Sequence, residues 1–149
     1  MEKISEKKKV LFICTHNSAR SHMAEGLVNA LHGDRYEAWS AGTDPSQLNP
    51  YAIRVMAEVG IDISGHHSKG VEQFLDQEFD YVLTVCDHAN ETCPLFSGGK
   101  ARLHQGFEDP AAFNGSEEEK IALFRRVRDE IRDWIDKIFS EEGEKATQA

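Results

Sequence analysis

Four apolar residues, Val10-Leu11-Phe12-Ile13, run straight into Cys14, and Arg20 follows six positions later. Behind them Met23, Ala24, Leu27, Val28 and Leu31 recur at helical spacing. An unbroken apolar run, a short polar stretch and a helical repeat read as a buried strand, a tight loop and the first turns of a helix. A loop in that position turns its N–H groups inward at the positive end of the helix dipole, which makes an anion site. Cys14 stands at the carboxyl end of the strand, where such a field favours the thiolate over the thiol. Arg20 adds a planar, permanently charged fork able to hold two oxygens of a tetrahedral oxyanion. Asn17 is a residue type that tolerates positive φ inside the loop, and Ser21 can donate a hydrogen bond to the sulfur. The plainer alternative is a core cysteine followed by a surface arginine, and the strand–loop–helix context weighs against it.

A chain of 149 residues suits one domain with one core, spanning 1–149, with residues 1–8 and 141–149 expected as flexible tails. The net charge of −9 leaves no basic stripe to displace counterions, so nucleic acid is excluded as a general partner. An anion site must therefore be positive locally, against the overall field. No apolar stretch is long enough for a membrane span, and Met1–Lys9 is polar, unlike a signal peptide. Three cysteines, an odd count, point to thiols kept for chemistry in a reducing compartment, and the expected location is the cytoplasm. No feature suggests an oligomer, and a monomer is expected.

Tyr36–Ser40 alternates as a second strand, and Asn49-Pro50 opens a helix with an N-cap and a proline in its first turn. Ala52, Ile53, Met56 and Val59 give that helix an apolar face, and Gly60 stops it. A brief helix is expected over Val71–Leu75. Tyr81–Val85 is a second unbroken apolar run, hence a central strand parallel to the first, and Ala101–His104 is a weaker fourth. Ser116-x-x-Glu119 is a capping box, followed by the stripe Phe124, Val127, Ile131, Trp134, Ile135 and Ile138, with Trp134 as core packing. The alternation predicts an α/β three-layer sandwich, a small parallel sheet with helices on both faces.

The central strand delivers Cys86 to the same sheet edge as Cys14, and Cys93 follows seven positions on. On a helix those two Cα atoms would lie about 10.5 Å apart along the axis, whereas a disulfide needs roughly 4.4–6.8 Å. Asp87, Asn90, Thr92 and Pro94 disfavour a stable helix there, so the segment is expected to unwind and close on oxidation. Zinc held by Cys86, His88, Cys93 and His104 is a weaker alternative, because the spacing matches no common finger. Inert core thiols are another. Asp109-Pro110 offers a carboxyl on a stiffened loop, either a proton donor or an ordinary turn.

Cys14-Thr15-His16-Asn17-Ser18-Ala19-Arg20-Ser21 with Met23-Ala24-Glu25-Gly26 resembles the signature of arsenate reductases built on the low-molecular-weight tyrosine phosphatase fold. The resemblance continues through Ser40-Ala41-Gly42, Asn49-Pro50, Ile61–Ser64, Cys86, Cys93 and Gly106–Pro110. It implies a four-stranded parallel sheet, oxyanion binding by Thr15, His16, Asn17, Ser18, Ala19, Arg20 and Ser21, and Asp109 as general acid. It also implies an order of events. Cys14 attacks arsenate, Cys86 attacks Cys14 as arsenite leaves, and Cys93 takes over the disulfide for an external reductant, thioredoxin. No bound cofactor and no metal are expected. Arsenate, phosphate-like oxyanions and thioredoxin are the expected partners.

Phosphatases of this fold carry aromatic residues after the Asp-Pro; here Ala111-Ala112 follow, which favours a small free oxyanion over a phosphotyrosine. Ala19 replaces a further cysteine found in certain members. Some members bind a structural potassium through residues matching Asn17, Glu25 and Ser40 plus an acid; Lys69 takes the acid's place, and its ammonium is expected to substitute for the ion. His66 and His67 are expected to cap or line loops without chemistry. Two other functions stay open: a phosphatase acting on phosphoesters, which needs only the first cysteine, and a non-catalytic oxyanion or metalloid sensor.

Overall fold

A computed structural model describes residues 7–86 and 101–140. Four parallel strands, β1 Lys8–Cys14, β2 Tyr36–Gly42, β3 Tyr81–Thr84 and β4 Ala101–His104, lie in the order β2-β1-β3-β4. Among the described residues the α-helices are α1 Arg20–Leu31, α2 Pro50–Ala57 and α3 Glu117–Ile138. This is the α/β class and the sheet that the sequence predicts. Lys8, which the sequence reading leaves in the flexible tail, already belongs to β1 and donates its N–H to the Arg35 carbonyl at 3.0 Å. Among the described residues no helix is long and apolar enough to cross a membrane.

The apolar run of β1 is central because both of its faces are covered. Val10, Leu11, Phe12 and Ile13 are all fully buried, each worth roughly 1.5–3 kcal/mol against exposure. On one face Phe12 meets Trp134 of α3 edge-on at 6.5 Å between centroids, while Tyr36 and Tyr81 pack on Phe139 at 4.4 and 5.6 Å. On the other, Trp39, in register with Leu11, packs on Phe79 at 5.8 Å, and Phe79 on Phe74 at 6.0 Å. Phe74 ends a 3-10 turn, Val71–Phe74, where the sequence predicts a brief helix.

The helix boundaries follow local chemistry. Asn49 caps α2 by accepting from the Tyr51 N–H, with Pro50 opening the helix. Gly60, at φ +79°, ends it: its N–H reaches the Ala57 carbonyl and the Ile61 N–H reaches that of Met56, a Schellman closure. The helix therefore stops before Val59, which is exposed, and Val55 joins Ala52 and Met56 on the buried face instead. Leu31, at the last turn of α1, is likewise exposed rather than part of the core stripe. The Ser116–Glu119 capping box forms as read, and Phe124, Val127, Ile131 and Ile135 are buried beneath α3, with Trp134 and Ile138 packed partly buried at its margin.

The chain leaves β1 for β2 on one side and later returns to β3 on the other. The strand order thus reverses between β1 and β3, and ligands of open α/β sheets bind at the carboxyl ends of strands at such a point. Cys14 closes β1 there, and Cys86 follows β3 by two residues, with Val85 still bonded to the Ile13 carbonyl at 2.9 Å.

Candidate functional site

The segment after Cys14 is shaped by a second loop lying behind it. The carbonyls of Cys14, Thr15, His16 and Ser18 accept from the N–H groups of Thr43, Asp44, Ser46 and Asn49 at 2.7–3.1 Å. With those carbonyls engaged from outside, the Asn17 N–H points at the Cys14 sulfur at 3.1 Å. Asn17 makes the turn at φ +48°, the positive angle its type allows. It is fully buried, and each of its polar groups is bonded: Nδ2 donates to Ser21 Oγ at 2.7 Å, Oδ1 accepts from the Lys69 N–H at 2.8 Å, and its carbonyl accepts from Ser68 at 2.6 Å. Gly42 leaves room for this loop. A Cβ there would stand 2.7 Å from the Thr15 carbonyl oxygen and 2.9 Å from the Asn17 nitrogen, both backbone atoms that cannot swing away. Helix α1 begins at Arg20 with Ala19 as N-cap and no side-chain cap, so its first amides are not claimed by a side chain.

Ser21 Oγ lies 2.9 Å from the Cys14 sulfur, the contact the sequence predicts. The charge state is a correction. Burial is the largest influence and pushes the Cys14 thiol above its ordinary value; the Ser21 hydrogen bond and the Arg20 charge pull it back, and the neighbouring Cys86 thiol pushes it up again. Burial therefore disfavours the expected thiolate, because removing a sulfur anion from water costs more than the Ser21 hydrogen bond and the Arg20 charge return. Alkylation of Cys14 by iodoacetamide, followed by mass spectrometry, is expected to accelerate through a midpoint above that of a free thiol. Arg20→Met should move it higher still, since a lowering charge is lost. A midpoint below neutrality would restore the thiolate.

Arg20 is mostly buried; it donates to the Phe107 carbonyl at 3.0 Å and lies 3.6 Å from Asp109 Oδ2. Asp109 also accepts from the Ala111 N–H at 3.0 Å, capping the 3-10 turn Pro110–Ala112, so the carboxyl is held at the mouth of the loop with its side chain 30% exposed. Cys86 is buried and its sulfur lies 3.1 Å from Thr15 Oγ1, which ties the second thiol to the residue next to the first. Cys14 is a free thiol. Cys93, with the segment expected to unwind around it and His88 of the zinc alternative, lies outside the described residues. His104 contacts Thr84 Oγ1 at 2.8 Å.

Beside this loop, α1 carries a second polar cluster. His22 is fully buried, and its Nδ1 lies 3.2 Å from His66 Nδ1 and 3.3 Å from Ser40 Oγ, while its Nε2 has no hydrogen-bond partner. Ser40 donates to Glu25 Oε1 at 2.5 Å, and Glu25 Oε2 lies 3.6 Å from His66 Nε2. Burial, then the charges of Lys69 and His66, pushes His22 down to about 3, so its ring is neutral. Lys69 donates its ammonium to the His67 carbonyl at 3.1 Å; burial lowers its pKa and Glu25 opposes that. His66, expected to line a loop without chemistry, pairs with a histidine 44 positions away, a contact that no local pattern along the chain signals.

A parallel α/β sheet that brings a cysteine, an inward-facing amide loop, a serine and an arginine to its switch point defines a phosphatase-type oxyanion protein. Residues 9–148 match the low molecular weight phosphotyrosine protein phosphatase family, and the chain belongs to it. An arsenate reductase of Halalkalibacterium halodurans is 48% identical over 92% of this chain and 98% of its own length. Among solved structures, an arsenate reductase in the phosphate-binding state superposes with a TM-score of 0.77 at 33% identity, over 88% of this chain and 95% of that one. A thioredoxin-dependent arsenate reductase of Corynebacterium glutamicum gives a TM-score of 0.64 at 28% identity, over 90% of this chain and 63% of that one.

Proposed function

We propose that the protein reduces arsenate to arsenite with thiols alone, and that thioredoxin returns it to the dithiol state. The observation that carries this reading is Cys86, buried and bonded to Thr15, one residue from the oxyanion loop's own cysteine. A hydrolytic phosphatase has no use for a second sulfur there. The similarity to arsenate reductases, one of them thioredoxin-dependent, supports the same choice.

Hydrogen arsenate enters among the amides of Thr15, His16, Asn17, Ser18, Ala19, Arg20 and Ser21, with two oxygens on the Arg20 fork. Cys14 attacks arsenic: a sulfur–arsenic bond forms and an arsenic–oxygen bond breaks. The thiol proton leaves with the departing hydroxide as water, and Asp109, held over the loop by Arg20, passes it across. A protonated Cys14 thus brings the proton that the leaving oxygen needs. Cys86 next attacks the Cys14 sulfur, and its thiol proton goes to the departing arsenite. The sulfur–sulfur bond forms, the sulfur–arsenic pair of electrons stays on arsenic, and arsenite departs. Cys93 then attacks Cys86 and releases Cys14, and the dithiol of thioredoxin reduces the remaining disulfide.

Arsenate added to the protein with thioredoxin, thioredoxin reductase and NADPH is expected to oxidise NADPH stoichiometrically with arsenite formed. Hydrolysis of p-nitrophenyl phosphate without arsenate-dependent NADPH oxidation would replace this reading with the phosphatase one; tight arsenate binding with neither activity would leave the sensor.

A further inference from the structure

The polar cluster beside the oxyanion loop is not used by the relay. His22, Glu25 and His66 each offer a ligand atom, and these atoms all lie within 4.8 Å of one another. The two Nδ1 atoms are 3.2 Å apart. Two nitrogens bound to one tetrahedral zinc at about 2.0–2.1 Å would stand roughly 3.3 Å apart. From the geometry we infer that His22, Glu25 and His66 form a binding site for a divalent cation of the zinc class, joining α1 to the segment after Ile63.

Several observations converge on this. His22 is fully buried, and its Nδ1 faces the cluster, 3.2 Å from His66 Nδ1 and 3.3 Å from Ser40 Oγ. Nδ1 is therefore the nitrogen placed to ligate, and a neutral imidazole nitrogen is a common metal ligand. Glu25 is already positioned by Ser40, the carboxylate–hydroxyl support that ligand side chains use. Its side chain is 13% exposed and that of His66 22%, so the ion has an entry from solvent and the fourth position falls to water. Two imidazoles select a borderline transition metal rather than potassium, which prefers oxygen, so this ligand set differs from the potassium site that some relatives' pattern implies. Lys69 and His67 oppose a cation here, since both lie close enough to act on His22. The expected consequence is mechanical. Ser68 and Lys69 hold Asn17 of the oxyanion loop, so fastening His66 to α1 clamps the segment that shapes that loop.

The test is zinc titration of the full chain carrying Cys14→Ser, Cys86→Ser and Cys93→Ser, which removes the thiols as competing ligands. One equivalent is expected, read by competition with a chromophoric chelator, and the thermal midpoint should rise with zinc. His66→Gln, whose site is partly exposed, should weaken binding at least tenfold while keeping the far-ultraviolet spectrum of the fold. His22→Gln should do likewise, and Lys69→Met should tighten binding by removing a competing charge. No zinc uptake at a hundredfold excess, or uptake unchanged in both histidine variants, overturns the site. Either result leaves the arsenate assay untouched, so the two readings fail separately.

Discussion

Cys14→Ser is expected to lower arsenate turnover by on the order of 10⁴-fold or more, to the background of the assay. The serine keeps the shape of the loop: the Asn17 N–H and Ser21 Oγ still have an oxygen to bond where the sulfur stood at 3.1 and 2.9 Å. What it loses is a polarisable nucleophile that can accept a sulfur–sulfur bond in the following step, so no disulfide relay can start. Oxyanion binding should survive. Equilibrium binding of phosphate to the variant, followed by calorimetry, is expected within about threefold of the parent. Turnover within tenfold of the parent would show that another group attacks arsenic and would end the role given to this sulfur.

Cys86→Ser separates reduction from hydrolysis. Multiple turnover of arsenate should fall below detection, because an adduct on Cys14 then has no thiol to displace arsenite. The substitution is mild structurally: Cys86 is buried, and a serine hydroxyl can keep the 3.1 Å contact with Thr15 Oγ1. Any hydrolysis of p-nitrophenyl phosphate, which needs only Cys14, Arg20 and Asp109, should remain within about twofold. Cys93→Ser is expected to stall one step later, with mass spectrometry of the quenched reaction locating a disulfide between Cys14 and Cys86. Continued arsenate cycling by Cys86→Ser would remove the second thiol from the mechanism.

Much of the site was legible because its elements are local. Cys14, Asn17, Ser21 and Arg20 lie within one strand-end and one helical turn, so spacing alone places them together, and the positive φ of Asn17 and the Ser21 contact follow from their side-chain chemistry. The β1 and β3 runs were readable as central strands because burial on both faces demands continuous apolar residues. Terminal positions misled: Leu31 and Val59 fit a helical stripe, but Leu31 is the last residue of α1 and Val59 lies beyond the end of α2, and both are exposed. The ionisation of Cys14 misled for another reason. Donors can be counted along a chain, whereas the depth at which they are buried cannot.

The sequence by itself determined the strand–loop–helix unit, the α/β class, and the residue types that meet an oxyanion, since each depends on contacts within about a dozen residues. Only the tertiary structure decided which distant groups complete the unit. Phe107 takes one end of Arg20, the 43–49 loop takes the carbonyls that would otherwise face inward, Thr15 meets Cys86, and His66 meets His22. Those partnerships come from the order in which parallel strands cross the sheet, and from burial that all of its layers produce together. A pattern along one chain carries neither.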